Sequence, residues 1–442
     1  MEPIAYLAME IKQRELDSRV LIASHLLKSG IAVIFGQQWS IFANVKALPP
    51  GIILFKTVNN IQGRLMSSFR AAGHLVAATD EEVLVCTQDE CFLEVFSKSA
   101  AENCDLFFAQ SNFHKDVVER NFPSLRNRTA AVGNARIDFL APNRRRVFEP
   151  EVAEIKQKHG SYILFNTNYS QLNSIWNDVN QVTKIAAQAG MFDASNPDSV
   201  AEYKAKLKWE WRNRDEMVKL LNWTVQNVSS KKIILRPHPG EIAEFWAERF
   251  GNNERVHIVP RSNPHPWIMG SDLVVHTSCT TGLEAALMDK PVVNLVPAAH
   301  PTFDFITNKI NPTFPTWEGV ANAMDVFFRS GGGPIRQSIE ERGAVLSEQF
   351  EMSDREVAEK IAERLIAELR DHGAPNFDGH VPRFLGDGYQ RTARGETMKD
   401  KFMLEQGEMA SRLQDALTGM GAYIRVKILE LDDSVFLLLP QT

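Results

Sequence analysis

The feature that most constrains this chain is an alternation of short apolar runs with helical patterns. In the first third the apolar runs are Ile4–Met9, Ala32–Phe35, Ile52–Phe55, His74–Ala78 and Leu106–Ala109. Helical patterns follow most of them, and strand–helix alternation at this spacing predicts a parallel sheet with helices on both faces. We therefore expect a doubly wound α/β unit in this part of the chain.

A second alternation begins after residue 150. Its apolar runs are Tyr162–Phe165, Lys232–Leu235, Val256–Val259, Leu273–His276 and Pro291–Val296, and a long helical pattern covers roughly Ala201–Val228. The stretch from Pro142 to Pro150 is rich in proline and arginine, which predicts a linker. A chain of 442 residues is also too long for one ordinary core. We predict two Rossmann-like domains, at residues 1–145 and 151–330, with ligands collecting in a cleft at the strand ends.

Residues 335–442 form the rest of the predicted architecture. Gly331–Gly333 predicts a surface turn, and Glu340–Leu369 predicts one long amphipathic helix that crosses back over both domains. Beyond His372 the chain is rich in glycine and proline, and it is then helical near Met403–Leu417, with apolar runs at Ile424–Leu429 and Val435–Leu439. The predicted fold class is α/β, with two Rossmann-like doubly wound domains of the GT-B kind and a C-terminal helical extension.

The charge and cysteine patterns narrow the class of protein. The net charge is -6, and no block of like charge is long enough for a nucleic-acid arm. Neither a signal peptide nor an apolar stretch of about 18–20 residues is recognisable. Cys86, Cys91, Cys104 and Cys279 lack CxxC and CxxH spacing, which predicts neither a zinc site nor a disulfide framework. We expect a cytoplasmic protein from a reducing compartment.

One candidate site follows the apolar run that ends at Arg236. The sequence Arg236-Pro-His238-Pro-Gly delivers a histidine to the carboxyl end of a strand, just before a helix. There His238 could bind a phosphate oxygen or protonate a leaving phosphate, and Arg236 could add charge-assisted hydrogen bonds. The alternative is a turn histidine that is bonded to its own backbone.

A second candidate follows Leu273–His276. The hydroxyl-rich turn with Ser278, Thr280 and Thr281 opens a helix, and helix N-termini hold phosphates well. Glu284, one turn into that helix, could accept from ribose hydroxyls. Alternatively Thr280 or Thr281 caps the helix, and Glu284 is a first-turn acid favoured by the helix dipole.

Two further groups of side chains follow strands of the second domain. Asn166 and Asn168 end its first strand, where short polar side chains suit backbone turns and ligand contacts equally well. The His265 or Trp267 ring could pack on a nucleobase, although a core position is the stronger interpretation of Trp267.

The acidic cluster Asp80-Glu81-Glu82 ends a buried strand of the first domain. One of its carboxylates could have a raised pKa and act as a general base. The alternative is a helix N-terminus that carries acids. A rival base is Glu15 or Asp17, in a charged segment after the first strand that is predicted to be a loop.

Taken together, these residues resemble bacterial surface-carbohydrate biosynthesis proteins with a GT-B fold, distant relatives of capsule Kdo transferases and polysialyltransferases. The matching segments are Arg14–Arg19, Asp80–Glu82, Gly133–Asp138, Arg236–Pro239 and Cys279–Ala285. The resemblance implies that His238, Ser278, Thr280 and Thr281 hold a CMP phosphate. It also implies that Glu81 or Glu82 is the base, with Glu82 slightly favoured. Val83 stands where these relatives tend to have glycine, and Ala135 where they have proline.

The resemblance implies a glycosyltransferase that moves a sugar, such as Kdo, from a CMP-activated donor to a surface polysaccharide or glycolipid. No Asp-x-Asp motif is present, so metal-independent transfer without a further cofactor is expected. The expected partners are the nucleotide-sugar and a glycan acceptor, with peripheral association at the inner membrane face and no nucleic acid. The alternatives are a UDP-sugar 2-epimerase and a non-catalytic nucleotide-sugar-binding subunit of a polysaccharide assembly complex.

Overall fold

The chain folds into two compact units. The computed structural model describes residues 3–176, 178–259, 262–349, 355–372, 389–390 and 402–441. Unit 1 comprises Met1–Glu82, Val95–Phe139 and Glu351–Thr442, and unit 2 comprises Val83–Glu94 and Leu140–Phe350. Most of the predicted Gly- and Pro-rich stretch after His372 lies outside the described residues.

Unit 1 contains one sheet with helices packed around it. Its strands are β1 (Ile4–Met9), β2 (Ala32–Gln37), β3 (Ile52–Phe55), β4 (Leu75–Thr79), β5 (Leu106–Ala109), β6 (Thr129–Ala131), β13 (Arg425–Asp432) and β14 (Val435–Gln441). Its helices are α1 (Lys12–Lys28), α2 (Gln38–Ala43), α3 (Asn60–Ala71), α5 (Lys98–Asn103), α6 (Asn112–Asn121), α16 (Val357–Asp371) and α17 (Gln406–Gly419). The strand order is β13-β14-β2-β1-β3-β4-β5-β6.

The position of β1 determines where unit 1 can hold a ligand. β1 pairs in parallel with β2 on one side and with β3 on the other. The chain therefore leaves β1 toward one edge of the sheet and later continues toward the opposite edge. Such a topological switch point opens a crevice at the carboxyl ends of the strands. In unit 1 the residues that follow β1, β3 and β4 lie at this edge.

The C-terminal strands complete the sheet of unit 1. β14 runs antiparallel to β2, with Phe436 opposite Phe35 and Leu438 opposite Val33, and β13 runs antiparallel to β14. The prediction of a helical C-terminal extension is therefore only partly right, because a β-hairpin follows α17. The apolar run of β14 is buried because it covers the edge of β2.

Unit 2 contains an all-parallel sheet. Its strands are β7 (Tyr162–Asn166), β8 (Lys232–Arg236), β9 (Val256–Ile258), β10 (Leu273–His276), β11 (Val292–Leu295) and β12 (Thr313–Phe314). Its helices are α4 (Asp89–Leu93), α7 (Glu149–His159), α8 (Val179–Ala189), α9 (Pro197–Asn227), α10 (Glu244–Phe250), α11 (Pro264–Gly270), α12 (Thr280–Leu287), α13 (Thr307–Ile310), α14 (Trp317–Ser330) and α15 (Pro334–Gln349). The order β12-β11-β10-β7-β8-β9 is that of a dinucleotide-binding Rossmann sheet. The prediction of two doubly wound α/β units is confirmed.

Helix α1 begins earlier than predicted. The charged segment with Glu15 and Asp17 was predicted to be a loop, but α1 starts at Lys12 and includes both residues. The Glu15 carboxylate accepts hydrogen bonds from the backbone N–H groups of Glu10 and Ile11, at 2.9 and 3.0 Å. Because this carboxylate satisfies N–H groups at the helix start, the first turn forms without a capping residue of the usual type.

Two other predictions about connecting segments are corrected. The single helix expected over Glu340–Leu369 is two helices, α15 in unit 2 and α16 in unit 1. The stretch expected to be a linker contains a 3₁₀ turn at Arg145–Phe148, and the Phe148 side chain is buried. A proline- and arginine-rich composition does not prevent a segment from contributing one anchoring aromatic side chain.

Unit 2 also contains a disulfide that the cysteine spacing did not predict. Cys86 and Cys91 are bonded, with their Cα atoms 5.5 Å apart, whereas Cys104 and Cys279 are free. Cys86 pairs with Phe305 in an isolated β-bridge, and the start of α4 at Asp89 turns Cys91 back toward it. No helix in the described ranges is both long and apolar enough to cross a bilayer.

The segment Gly133–Asp138 holds the N-terminus of α16. The two Asp138 carboxylate oxygens accept from the backbone N–H groups of Val357 and Ala358, at 2.9 and 2.8 Å. Gly133 has a φ of 103°, and a Cβ there would lie 2.7 Å from the Val357 side chain. Glycine is therefore required both by the backbone angle and by the approach of α16.

Replacing Asp138 by alanine is expected to lower the stability of unit 1 by about 0.5–2 kcal/mol, since a helix loses its capping carboxylate. Hydrogen exchange read by mass spectrometry on α16 peptides measures the loss. The control is Asp415→Ala, which removes an exposed carboxylate of α17 in the same unit. Equal protection of α16 in both variants would show that Asp138 is not its cap.

Candidate functional site

Three turns meet at the carboxyl edge of the unit 2 sheet. They follow β7, β8 and β10, and β7 lies between the other two strands. The direction of chain progression reverses between β7 and β10, so this edge is the switch point of the sheet. The sequence-predicted residues Asn166, His238 and Ser278 belong to these three turns, and the fold brings the turns together.

Glu241 ties the turn after β8 to the turn after β7. Its Oε1 atom accepts from the Thr167 hydroxyl at 2.7 Å, the Tyr169 N–H at 2.9 Å and the His238 N–H at 3.2 Å. Its Oε2 atom accepts from the Asn173 amide and the Trp246 indole, at 3.2 and 3.1 Å. Burial raises the pKa of this carboxyl group. Five donors on one buried carboxylate fix the shape of both turns.

The turn after β7 is also bonded to the turn after β10. The Asn168 amide donates to the Thr277 carbonyl oxygen at 3.0 Å, and the Tyr169 hydroxyl lies 3.1 Å from the Thr277 Oγ1 atom. Together with the Glu241 contacts, these bonds make the three turns one connected unit. The surroundings of His238 and of the Ser278–Thr281 turn are thus held by the same side chains.

The His238 ring has a defined tautomer. Its Nδ1 atom accepts from the Gly240 backbone N–H at 3.0 Å, so in the neutral ring the proton is on Nε2. The backbone contact that was considered as the alternative to function is therefore present. It is compatible with function, because an Nε2–H group is a donor of the kind that a phosphate oxygen accepts.

The Ser278 turn is held in a conformation that is rare for residues other than glycine. Ser278 has a φ of 42°, and such residues cost on the order of 1–3 kcal/mol. Its N–H donates to the Asn294 Oδ1 atom and its hydroxyl to the Asn308 Oδ1 atom, both at 2.8 Å. The amides of Asn294 and Asn308 thus hold the turn that leads into α12.

The N-terminus of α12 is not capped by a side chain. The N-cap residue is Cys279 and makes no capping hydrogen bond, so the interpretation of Thr280 or Thr281 as the cap is wrong. The backbone N–H groups of Thr281 and Gly282 face the Cys279 sulfur, and the Thr281 hydroxyl lies 2.7 Å from it. Gly282 allows this turn to approach the sheet, because a Cβ there would lie 2.2 Å from the His276 ring. The N-terminus of a helix attracts an anion, because the helix dipole leaves a partial positive charge there.

Two asparagines at the end of β7, the strand next to β10, have buried side-chain amide atoms. Asn166 is 1% exposed, and neither its Oδ1 nor its Nδ2 atom has a hydrogen-bond partner among the described residues. The Asn168 Oδ1 atom is likewise buried without a partner there. Buried polar groups are nearly always paired, so unpaired ones at a switch point indicate a place for a ligand or water.

The remaining predicted residues of unit 2 are deeply buried. The Arg236 guanidinium bonds to the Ser262 carbonyl and hydroxyl oxygens, and burial lowers its pKa to about 10. Glu284 is 1% exposed, and its Oε1 atom lies 3.8 Å from the His265 Nε2 atom. Trp267 packs in the core, which was preferred over a contact with a nucleobase in the sequence-based interpretation.

The acidic cluster of unit 1 places its three carboxylates in different environments. Asp80 is 2% exposed; its Oδ1 atom accepts from the Thr57 hydroxyl at 3.3 Å and from the Glu82 N–H at 3.2 Å. Its Oδ2 atom is buried without a partner in the described part of unit 1. Burial raises the pKa of Asp80 to about 7, and the charge of Glu82 acts in the same direction.

Glu81 and Glu82 are paired with arginines of α1. A Glu81 oxygen lies 3.0 Å from the Arg19 guanidinium, and both side chains are almost fully buried, at 7% and 1% exposure. Glu82 is half exposed and lies 3.2 Å from Arg14. The Arg14 charge lowers the pKa of Glu82 to about 2. The three acids do not cap a helix, since α4 begins only at Asp89.

The proposed rival bases have structural partners. The Glu15 carboxylate holds the start of α1 and lies 3.6 Å from the Lys56 ammonium group, which also lies 2.8 Å from Glu10. Asp17 is 3.8 Å from Arg412. Although burial opposes it, the charges of Glu15 and Glu10 raise the pKa of Lys56. Lys56 follows β3 at the switch point of unit 1, and it is absent from the sequence-predicted site.

Sequence reasoning missed Lys56, Glu241 and Asn294. Lys56 directly follows β3 and Glu241 lies in the turn after β8, so their positions beyond strand ends could have indicated them. Asn294 lies inside β11 and is fully buried. Asn294 could have been recognised as a polar residue within an apolar strand run, because a buried polar side chain needs a specific partner.

No protein-family model and no curated protein matches the sequence. Among solved structures, the wall teichoic acid polymerase TagF is similar, with 11% identity over 84% of this chain and 89% of that chain, and a TM-score of 0.48. The UDP-GlcNAc 2-epimerase from Methanocaldococcus jannaschii has 13% identity over 79% and 100% of the two chains, and a TM-score of 0.45. Anabaena HepE in complex with UDP-glucose has 13% identity over 84% and 100%, and a TM-score of 0.44. At this level of similarity, the function has to be inferred from the residues of this chain.

Proposed function

We propose that this chain is a GT-B glycosyltransferase whose unit 2 binds a nucleotide-activated sugar. The observation that carries the proposal is the connected set of three turns at the switch point of unit 2. It brings together the His238 ring, the N-terminus of α12 and the buried amide of Asn166, and groups of these kinds suit an anionic, hydrogen-bonding ligand. A nucleotide phosphate with its sugar has this chemistry.

In this proposal the charge of the leaving nucleotide is stabilised by the α12 N-terminus and His238, since preorganised donors contribute strongly to such reactions. The acceptor hydroxyl loses its proton to a carboxylate of unit 1. Asp80 suits this role best, because a base is most effective when its pKa is close to the working pH. Glu82, which the sequence slightly favoured, is held ionised by Arg14 and is therefore a weaker base.

The finer details of the proposal rest on the resemblance. They are a CMP-activated acidic sugar such as Kdo, a surface polysaccharide or glycolipid acceptor, transfer without a metal, and association with the inner membrane face. Ser278, Thr280 and Thr281 would contact the donor phosphate. Glu284 would bind ribose and Arg236 would support the phosphate site, and both would need their present partners to move.

Replacing His238 by alanine is expected to weaken nucleotide binding by about 1.5–3 kcal/mol, because a hydrogen bond to a charged phosphate is lost. Calorimetric titration with CMP, UDP and GDP measures this, and CMP is expected to bind most tightly. The control is His372→Ala, which removes an exposed imidazole from the end of α16. Unchanged CMP affinity in His238→Ala would show that the histidine is structural.

The same titration tests the proposal as a whole. If the wild-type protein binds none of the three nucleotides, the transferase proposal fails. If it binds UDP and interconverts a UDP-sugar with its 2-epimer without any acceptor, the epimerase alternative is correct. If it binds a nucleotide-sugar but releases no nucleotide with acceptor lipid or oligosaccharide extracts, the non-catalytic alternative is favoured.

A further inference from the structure

The disulfide of unit 2 closes a short ring that holds the segment following β11. We call the residues from Cys86 to Cys91 the disulfide ring. Inside the ring, the Thr87 hydroxyl donates to the Asp304 carbonyl oxygen at 2.6 Å, and the Asp304 N–H donates to the Gln88 Oε1 atom at 3.0 Å. Both backbone groups of Asp304 are therefore bonded to side chains of the ring.

Two backbone contacts extend this attachment. Cys86 pairs with Phe305 in an antiparallel bridge, and the Ile306 N–H donates to the Val85 carbonyl oxygen at 3.0 Å. Three consecutive residues, 304 to 306, are thus held by the ring and by the residue before it. Cys86 and Cys91 are 9% and 5% exposed, so the disulfide is packed inside unit 2.

The attached segment leads directly into a residue that holds the Ser278 turn. Helix α13 begins at Thr307, and the Asn308 N–H donates to the Phe305 carbonyl oxygen at 2.9 Å. The Asn308 Oδ1 atom accepts from the Ser278 hydroxyl at 2.8 Å and from the Asn294 amide at 2.9 Å. A continuous set of hydrogen bonds therefore connects the disulfide ring to the turn that opens α12.

The Ser278 turn depends on such support because its backbone conformation is costly. Ser278 has a φ of 42°, and residues other than glycine keep such a conformation only where their surroundings hold it. When the Asn308 contact weakens, fewer molecules hold the turn in this conformation. A ligand that binds only this conformation then loses apparent affinity in proportion.

We propose that the disulfide ring positions the Ser278 turn, so that nucleotide affinity depends on the oxidation state of Cys86 and Cys91. Closing a short loop restricts the conformations available to Thr87 and Gln88, and opening the loop releases them. The inference rests on the proposed function, because it assigns control to that same nucleotide site.

The switch between the two states needs a small dithiol as the reductant. One of its thiolates attacks a sulfur of the Cys86–Cys91 bond and forms a mixed disulfide, which its second thiol resolves. The S–S bond of the protein is thereby replaced by an S–S bond within the reductant. The two cysteines take up two electrons and two protons and become thiols. Cys104 and Cys279 are free thiols throughout.

Calorimetric titration with CMP, before and after treatment with dithiothreitol, tests the proposal. Alkylation of the denatured chain, read by mass spectrometry, confirms the oxidation state through Cys86 and Cys91. Reduction should weaken CMP binding about 5- to 10-fold, at the lower end of the usual range for coupling between sites. The variant Cys86→Ser with Cys91→Ser should bind like the reduced protein and should not respond to dithiothreitol. The control Cys104→Ala should match the wild type in both states.

Substitutions at Thr87 test the contact itself while the disulfide is intact. Thr87→Val removes the donor to the Asp304 carbonyl oxygen and nearly keeps the volume of the side chain. It should weaken CMP binding about fivefold. Thr87→Ser keeps the hydroxyl and should keep wild-type affinity. Equal affinity of Thr87→Val and Thr87→Ser would show that the contact does not position the turn.

Hydrogen exchange without nucleotide distinguishes a failed donor site from a failed inference. On reduction, peptides of α13 and of the Ser278 turn should lose protection, whereas β9, at the opposite edge of the sheet, should not change. This local loss without any CMP binding would support the positioning and refute the proposed function. Equal protection in the two states would overturn the inference, as would a loss of protection throughout unit 2.

Discussion

Replacing Asp80 by asparagine is expected to lower the rate of sugar transfer by roughly 10²- to 10⁴-fold, the usual range for loss of a general base. Nucleotide affinity should not change, because Asp80 belongs to unit 1 and the donor turns belong to unit 2. Asparagine keeps the shape of the side chain but cannot accept the proton. Release of CMP from a CMP-sugar, measured with and without acceptor extracts, gives the rate.

The pH dependence provides a second measurement on the same variant. With a pKa of about 7, Asp80 gains its charge as the pH rises through neutrality, so transfer by the wild-type protein should rise there. Stability should change in the opposite direction. The folded state holds this proton more tightly than the unfolded state, so the Asp80 contribution falls as the pH rises from about 4 to 7. Asp80→Asn should remove both dependences.

Glu82→Gln is the matched comparison for Asp80. Both changes replace a carboxylate by an amide in the same cluster, but Glu82 is already ionised by its contact with Arg14. We expect Glu82→Gln to reduce transfer by less than about tenfold. If Glu82→Gln abolishes transfer while Asp80→Asn retains it, the base is Glu82 after all. If Glu82→Gln and Asp80→Asn both retain transfer while Asp17→Asn loses it, the base belongs to α1.

Replacing Arg19 by methionine is expected to lower the free energy of unfolding of unit 1 by about 3–5 kcal/mol. Arg19 and Glu81 form a buried ion pair, and removing one partner leaves an uncompensated buried charge on the other. Hydrogen exchange on peptides of α1 and β4 measures the loss in unit 1 separately from unit 2.

Two further variants separate the buried charge from the loss of packing. Arg19→Met combined with Glu81→Leu should recover most of the stability, because buried pairs can often be replaced by apolar side chains. Arg14→Met should cost no more than about 1 kcal/mol, as its partner Glu82 is half exposed. An Arg19→Met protein as stable as the wild type would mean that the pair does not form in solution.

The elements that the sequence predicted well are those with strong local signals. β10, at Leu273–His276, has the predicted bounds, and α9 matches a long periodic pattern. The start of α1 was missed because its N-cap is Ile11, and the capping carboxylate of Glu15 comes from within the helix. Sequence rules for helix starts look for a short polar residue before the helix.

Long-range contacts explain the other differences. The apolar run of β14 was visible in the sequence, but its antiparallel pairing with β2 was not, because no local pattern specifies such a distant partner. The disulfide between Cys86 and Cys91 likewise depends on how the segment folds back on Phe305.

In the candidate site, too, features with a local sequence signal were predicted and features that depend on distant neighbours were not. The sequence located the turns at the strand ends, because polar residues after apolar runs are easily recognised. It could not rank the three acids, since their ranking depends on Arg14, Arg19 and the burial of Asp80. These are neighbours contributed by another element, which spacing along the chain does not reveal.

The pairing of β14 with β2 also affects the order in which the protein can fold during synthesis. Domains usually fold as the chain leaves the ribosome, N-terminal parts first. Here β2 emerges early, but the strand that covers its edge is made only after the whole of unit 2. Unit 2 can therefore finish before unit 1, although unit 1 contains the N-terminus. During that interval β2 presents an apolar edge that can pair with another nascent chain, so chaperone dependence and sensitivity to C-terminal truncation should be concentrated there.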